Sequence, residues 1–163
     1  MMEPKNLPVE RILRISQAID LLDNNNAIDA TTSYRVGRIG DSCVSVKRRL
    51  EKAQTKLINE FNKQRNQLIG KTEEKDLTQE VKDKITELAN KLNEDISLLQ
   101  EQEDQINIVT LSLNDFKAKE DIKVNQEVIN PDKSTKMEVI TYKKDQLLVS
   151  IKFLKLMGDL ISE

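Results

Sequence analysis

The pattern that most restricts the fold runs from Val36 to Leu57. Val36, Ile39, Cys43, Val46, Leu50, Ala53 and Leu57 follow at spacings of 3, 4, 3, 4, 3 and 4. A seven-residue apolar repeat holds one seam of a helix against a partner, whereas a strand alternates its side chains with period two and gains nothing from it. Past Leu57 the seam slips to Phe61, Arg65 and Leu68, and Gly70 supplies a stop. With Thr31, Thr32 or Ser33 as cap, about 37 residues at 1.5 Å each make a rod of roughly 55 Å, longer than a small globule needs.

Such a rod requires a partner, and the next segment provides one. A polar connection from Lys71 to Leu77 leads to Leu77, Val81, Ile85, Leu88, Leu92, Ile96 and Leu99, again at helical spacing. Asp76 or Thr78 can cap this helix, with Gln79 three residues after Asp76 as in a capping box. A short connection between two long helices makes them antiparallel neighbours. Charge agrees with the pairing. Arg35 to Lys71 holds ten Lys and Arg against three Asp and Glu, while Thr72 to Asp104 holds four against eleven. Opposite signs favour one arm with the other and disfavour either with its own copy, so the two arms are expected to satisfy each other.

The flanks are less periodic. Pro8 opens a first helix expected to end near Asp23, with Ile12, Ile15, Ile19 and Leu22 on one face, and Asn24-Asn25-Asn26 breaks it. Beyond Asp104, Ile106, Ile108, Leu111 and Leu113 read as extended chain. Ile122 to Ile129 and Met137 to Tyr142 flank the turn sequence Asn130-Pro131-Asp132-Lys133 and read as a small β-hairpin. From Lys143 to Ser162 the apolar residues leave only Lys152, Lys155, Asp159 and Ser162 as a polar stripe. That reads as a C-terminal helix buried on more than one side.

The expected fold is mainly α, with one domain over residues 1–163. It comprises an N-terminal helix at 8–23, a long antiparallel, coiled-coil-like helical hairpin at 33–104, a small extended and β-hairpin region at 106–142, and an apolar C-terminal helix at 143–162. Aromatics at 3%, no Trp and only four Gly suit exposed helices better than a sandwich or barrel. The N-terminus lacks the apolar run of a signal peptide, no stretch is long and apolar enough to span a membrane, and the lone Cys43 fits a reducing compartment. A soluble intracellular protein is expected.

Catalytic chemistry is poorly provided for. There is no His, and Cys43 lies on the apolar seam, where a small core residue fits better than a nucleophile. Gly37, Gly40, Asp41 and Ser42 match neither phosphate-loop spacing, so these glycines read as close helix packing or a local bend. Asp20, Asp23, Asn25 and Asp29 resemble a calcium loop only in composition, with Tyr34 where its closing Glu belongs. No enzyme activity, metal or cofactor is expected.

Two surfaces are candidates for binding. Arg35, Arg38, Lys47, Arg48 and Arg49 form the best nucleic-acid contact, although an acidic neighbouring arm competes and stacking aromatics are missing. Leu148, Phe153, Met157 and Ile161 on the C-terminal helix are the candidates for protein contact, through self-association or another chain. Two lysines are too few for a membrane anchor there.

The run from Ala27 through Asp29, Thr32 and Tyr34 to Ile39, continued by Lys56-Leu57-Ile58-Asn59-Glu60-Phe61, resembles a family of small helical-hairpin phage proteins. In these a short helix and a small-residue turn lead into a long helix with a similar Lys-Leu-Ile-acid motif. A polar loop, a return helix, a short extended stretch like Ile106 to Phe116, and an apolar C-terminal helix follow. The segment from Val124 to Tyr142 departs from that pattern. The family has no assigned catalytic residue. The resemblance implies a phage or prophage product: a structural or interaction protein such as a virion component, with a nucleic-acid-binding accessory protein or an inhibitor of a host defence protein as the other readings.

Overall fold

A computed structural model describes residues 1–23 and 25–162. Helix accounts for 57% of it, and the chain is mainly α with small strands. The order is β1 (Met2–Pro8), α1 (Val9–Asp20), α2 (Ala30–Ile69), α3 (Gln79–Glu101), β2 (Glu103–Val109), β3 (Leu111–Ser112), β4 (Ile122–Ile129), β5 (Thr135–Tyr142), α4 (Ile151–Met157) and β6 (Ile161–Ser162).

The long helix begins three residues earlier than the hydroxyl cluster suggested. Asp29 caps it, accepting the Thr32 amide at 2.9 Å and the Thr32 hydroxyl at 3.1 Å. Those hydrogen bonds favour the charged form and hold the Asp29 carboxyl below its ordinary pKa. At the far end Gly70 adopts φ +57°, a left-handed turn that ends the helix without a Cβ penalty. Thr78 caps α3, accepting from the Val81 amide.

The seam of α2 is shared between two partners. Val36, Ile39, Cys43, Val46 and Leu50 are buried, packed on α1 and β2, and residues beyond Leu50 are at most half-buried. Only this second half lies against α3. Ala53 and Leu57 share a cleft with Leu98 and Leu99, Leu57 and Phe61 with Leu88 and Leu92, and Leu68 with Lys84 and Leu88. α3 has no buried residue. The chain thus has a head, with a complete core, and an arm, whose apolar seam has one neighbour only.

The head closes on features with weak sequence signals. β1 pairs antiparallel with β2 from Met2↔Val109 to Pro8↔Glu103. In a two-stranded ribbon alternate amides point away from the partner, so Pro4 is tolerated within β1. Ile12 and Ile15 of α1 are fully buried. Gly40 of α2 lets α1 approach, since an added Cβ would lie 3.3 Å from the Ile19 side chain. Gly37 shows no such constraint, with nothing within 4 Å. Phe116 and Phe153 are buried with ring centroids 5.1 Å apart at 60°, a tilted pair suited to opposed ring quadrupoles.

The C-terminal segment is corrected most. In place of a helix over 143–162, helix occupies Ile151 to Met157 alone. Asp145 sits at φ +65°, outside the helical region, and Ser150 caps the helix by accepting the Phe153 amide at 3.1 Å. Before it, the chain runs extended beside Phe116 and Ala118: the Leu148 amide donates to the Phe116 carbonyl and the Ala118 amide to that of Gln146. After it, Gly158 at φ +54° turns the chain into β6, which pairs parallel with β3. The wide apolar arc expected of one helix belongs to three conformations in succession, each presenting different side chains to the core.

β4 and β5 pair in full antiparallel register from Ile122↔Tyr142 to Ile129↔Thr135, the strands expected around Asn130 to Lys133. Ile122, Val124 and Tyr142 pack on the core at the base of this ribbon, while Ile129, Met137 and Val139 are exposed beyond it.

Candidate functional site

Three of the four side chains expected to carry protein contact are taken up by this chain's own core. Leu148, Phe153 and Met157 are buried in the head, with Phe153 and Met157 fully so, and Ile161 is half-buried where β6 meets β3. The apolar residues do bury themselves, but inside this chain. The reason is the broken C-terminal segment, which wraps across Phe116 and α1 and so covers both sides of the short helix.

Arg11 fixes that wrapping. Its guanidinium donates to the carbonyls of Leu156 and Met157 at the end of α4 and to Asp159 at 3.1 Å. Lys5 of β1 reaches the same carboxylate at 2.9 Å. The two cations hold Asp159 below its ordinary pKa, Lys5 contributing the larger share. Gly158 is favoured here by its positive φ, and an added Cβ would lie 2.7 Å from Arg11 Nη2, so the guanidinium would have to shift.

The five basic residues proposed for nucleic acid divide. Arg35 donates to Asp115 at 3.2 Å, tying α2 to the turn before Phe116. Arg49 grips Asp104 with both terminal contacts at 2.8 Å. Burial works against the Asp104 carboxylate, yet the Arg49 hydrogen bond, the Gln105 amide and the Arg49 charge outweigh it, and the pKa is lowered. Arg38 donates to the Tyr34 hydroxyl at 3.0 Å and lies 5.8 Å from that ring's centroid. Lys47 is half-buried, and Arg48 is exposed. Arg48 and Arg49 line an open cleft with Lys52 and Lys56. Two of the five are therefore engaged in holding the head together.

Among the described residues the charged arms satisfy each other only at their two ends, through Arg49 with Asp104 and Arg65 with Glu74, and not between the helices themselves. Arg49 reaches past α3 to Asp104 of β2, and Arg65 pairs at 2.8 Å with Glu74 in the connection. Within α3, Lys84 pairs with Glu80 on its own helix. At helix–helix distance the side chains that face each other are the apolar seam, and the charged ones point outward.

What remains uncovered is a groove along one side of the arm. It is lined by Ala53, Leu57, Leu88, Leu92 and Leu98 together with Lys56 and Glu60 from α2 and Lys91 and the half-buried Asp95 from α3. Leu98 is 57% exposed. Sequence reasoning passed over Leu98 because it lies one residue beside the seam position Leu99. The available signal was that adjacent pair, whose second leucine widens the apolar face beyond what one partner covers.

Cys43 is buried in the seam, and burial pushes its thiol up to about 11. It has neither the exposure nor the thiolate character of a nucleophile. No described helix is long and apolar enough to cross a membrane. Compared with protein families, with curated proteins and with solved structures, the chain matches none.

Proposed function

We propose that this chain is a non-enzymatic structural or interaction protein, and that its docking element is the arm, an antiparallel, coiled-coil-like pairing of α2 with α3. One observation carries the reading. The head buries a full set of apolar side chains, whereas α3 buries none completely, and only its end at Leu99 packs on the head. Half-covered leucines at helical spacing present the kind of groove that takes an amphipathic helix from a partner. The setting implied by the sequence resemblance is a phage particle, with this chain among its components. A photo-crosslinking residue at Leu98, exposed and outside the core, tests both parts in the native host. Capture of a particle protein or of the chain itself is expected. Absence of the chain from purified particles removes the virion setting, and a crosslinker that captures nothing there or in the host removes the docking role.

A second reading has one observation in its favour. Arg48, Lys52 and Lys56 line an open cleft on α2 with Arg49 and one carboxylate, Glu51, and these three are in no ion pair among the described residues. A nucleic-acid-binding accessory role predicts retention of DNA or RNA at low salt that is lost on Arg48→Glu with Lys52→Glu.

A further inference from the structure

We propose that the groove of the arm takes the arm of a second copy of this chain, forming a four-helix bundle in which α2 of each copy lies beside α3 of the other. This rests on the arm being a docking element and names its partner. The case begins with charge. α2 holds nine Lys and Arg against three Asp and Glu, and α3 holds three against six, yet no ion pair joins the two helices within one chain among the described residues. Arg49 and Arg65 are paired at the ends of the arm, while Lys56, Glu60, Lys91 and Asp95 between them are in no ion pair among the described residues.

A two-fold axis parallel to the arm brings α2 of one copy against α3 of the other and places equal levels of the two arms side by side. The levels are fixed by the clefts: Lys56 shares one with Asp95, and Glu60 shares one with Lys91. Across the axis Lys56 then meets Asp95 of the second copy, and Glu60 meets its Lys91. Both contacts are of opposite sign, so the rim is complementary to itself as an isologous interface must be. Leu98, exposed beside the groove, comes to lie over Ala53 of the second copy, which covers the leucine with a small residue. A pairing with the copies running in opposite directions sets α2 against α2, where like charge opposes it.

The expected affinity is modest. From Ala53 to Leu68 the groove runs about 23 Å. A two-helix face of that length buries on the order of 450 Å² per copy, below a standard interface of about 800 Å² per partner. Association is therefore expected to rise with concentration through the micromolar range rather than to be obligate.

Sedimentation equilibrium of the full chain across that range is the first measurement, with an apparent mass rising toward twice that of the chain as the expected result. Two charge-reversed chains then test the rim: Lys56→Glu with Lys91→Glu, and Glu60→Lys with Asp95→Lys. Each is expected to stay monomeric alone while keeping its helical circular dichroism, because each sets like charges across the axis. Their equimolar mixture restores opposite signs and is expected to dimerise. A wild-type chain that stays monomeric at the top of the range overturns the proposal, as does a folded mixture that fails to associate. Crosslinking from Leu98 to a different protein, with the chain itself monomeric, overturns the second copy as occupant but leaves the docking role standing. The two failures are therefore distinguishable.

Discussion

At the scale of single residues, stability is concentrated in a few polar side chains that satisfy backbone the helices leave open. Arg11 donates to two carbonyls at the end of α4, those of Leu156 and Met157. Replacing it with Met keeps the stem and removes the donors. A loss of about 2–3 kcal/mol is expected from chemical denaturation, the range for hydrogen bonds to charged groups left unmade. Gly158→Ala should cost a comparable amount through the same guanidinium, and combining it with Arg11→Met should be less than additive. Cys43 gives a pH-dependent signature. Its folded pKa lies at about 11, above the ordinary 9.0, because the buried site disfavours the thiolate. A raised pKa means stability that is complete below the ordinary value and is lost as pH climbs from there through about 11. Thermal unfolding followed from pH 8 upward should therefore fall more steeply for the wild type than for Cys43→Ala. Equal slopes would show that the thiol is not so placed.

At the scale of elements, α2 is one helix with two environments. Its first half is nailed to the head by Val36, Ile39, Cys43, Val46 and Leu50, and its second half leans on α3 alone. Amide hydrogen exchange should accordingly protect Ile39 to Leu50 far more than Ile58 to Ile69, since local opening of the arm exposes little buried surface. Uniform protection along α2 in a dilute, monomeric sample would contradict the division. The ribbon of β4 and β5 divides in the same way. Met137→Lys on its exposed face should change stability by less than about 0.5 kcal/mol, whereas Tyr142→Ala at its base should cost several times more. Much of this was legible in the sequence. The repeat from Val36 to Leu57 placed the long helix, the run after Thr78 placed its return, and Asn130 to Lys133 placed a turn. β1 was not legible, because Met2-Glu3-Pro4-Lys5-Asn6 has no alternation and forms a strand only when β2 offers it an edge. The C-terminal segment was misread because leucine and isoleucine at close spacing fit a buried helix and a buried extended chain equally well.

At the scale of the whole molecule, the two termini are brought together in the head. Lys5 of β1 and Asp159 beyond α4 form an ion pair, Arg11 joins it, and β1 is held by β2 at the far end of α3. Asp159 is held below its ordinary pKa, so its contribution is complete above the usual carboxylate range and is lost as pH falls through the lowered value. Acid unfolding should begin at higher pH in the Lys5→Met variant than in the wild type, and the difference should disappear in an Asp159→Asn background. Removing residues 1–7 should loosen α4 as well as β2, a change readable as lost near-ultraviolet signal from the Phe116 and Phe153 surroundings.

Elements whose information is local are readable from residue order alone. A seven-residue repeat, a helix stop at Gly70 and the opposite charge of the two long helices follow from residue order, because helix geometry converts spacing directly into a face. Only the tertiary structure decided which neighbour covers each face. It gave the first half of the seam to α1 and β2, turned Leu148, Phe153 and Met157 inward, and left Leu98 and the rims of the arm in solvent. The physical reason is that burial is settled by competition among apolar surfaces distant in sequence. The C-terminal chain, anchored by Arg11 and Gly158, fills the core of the head, and the arm keeps a face in solvent.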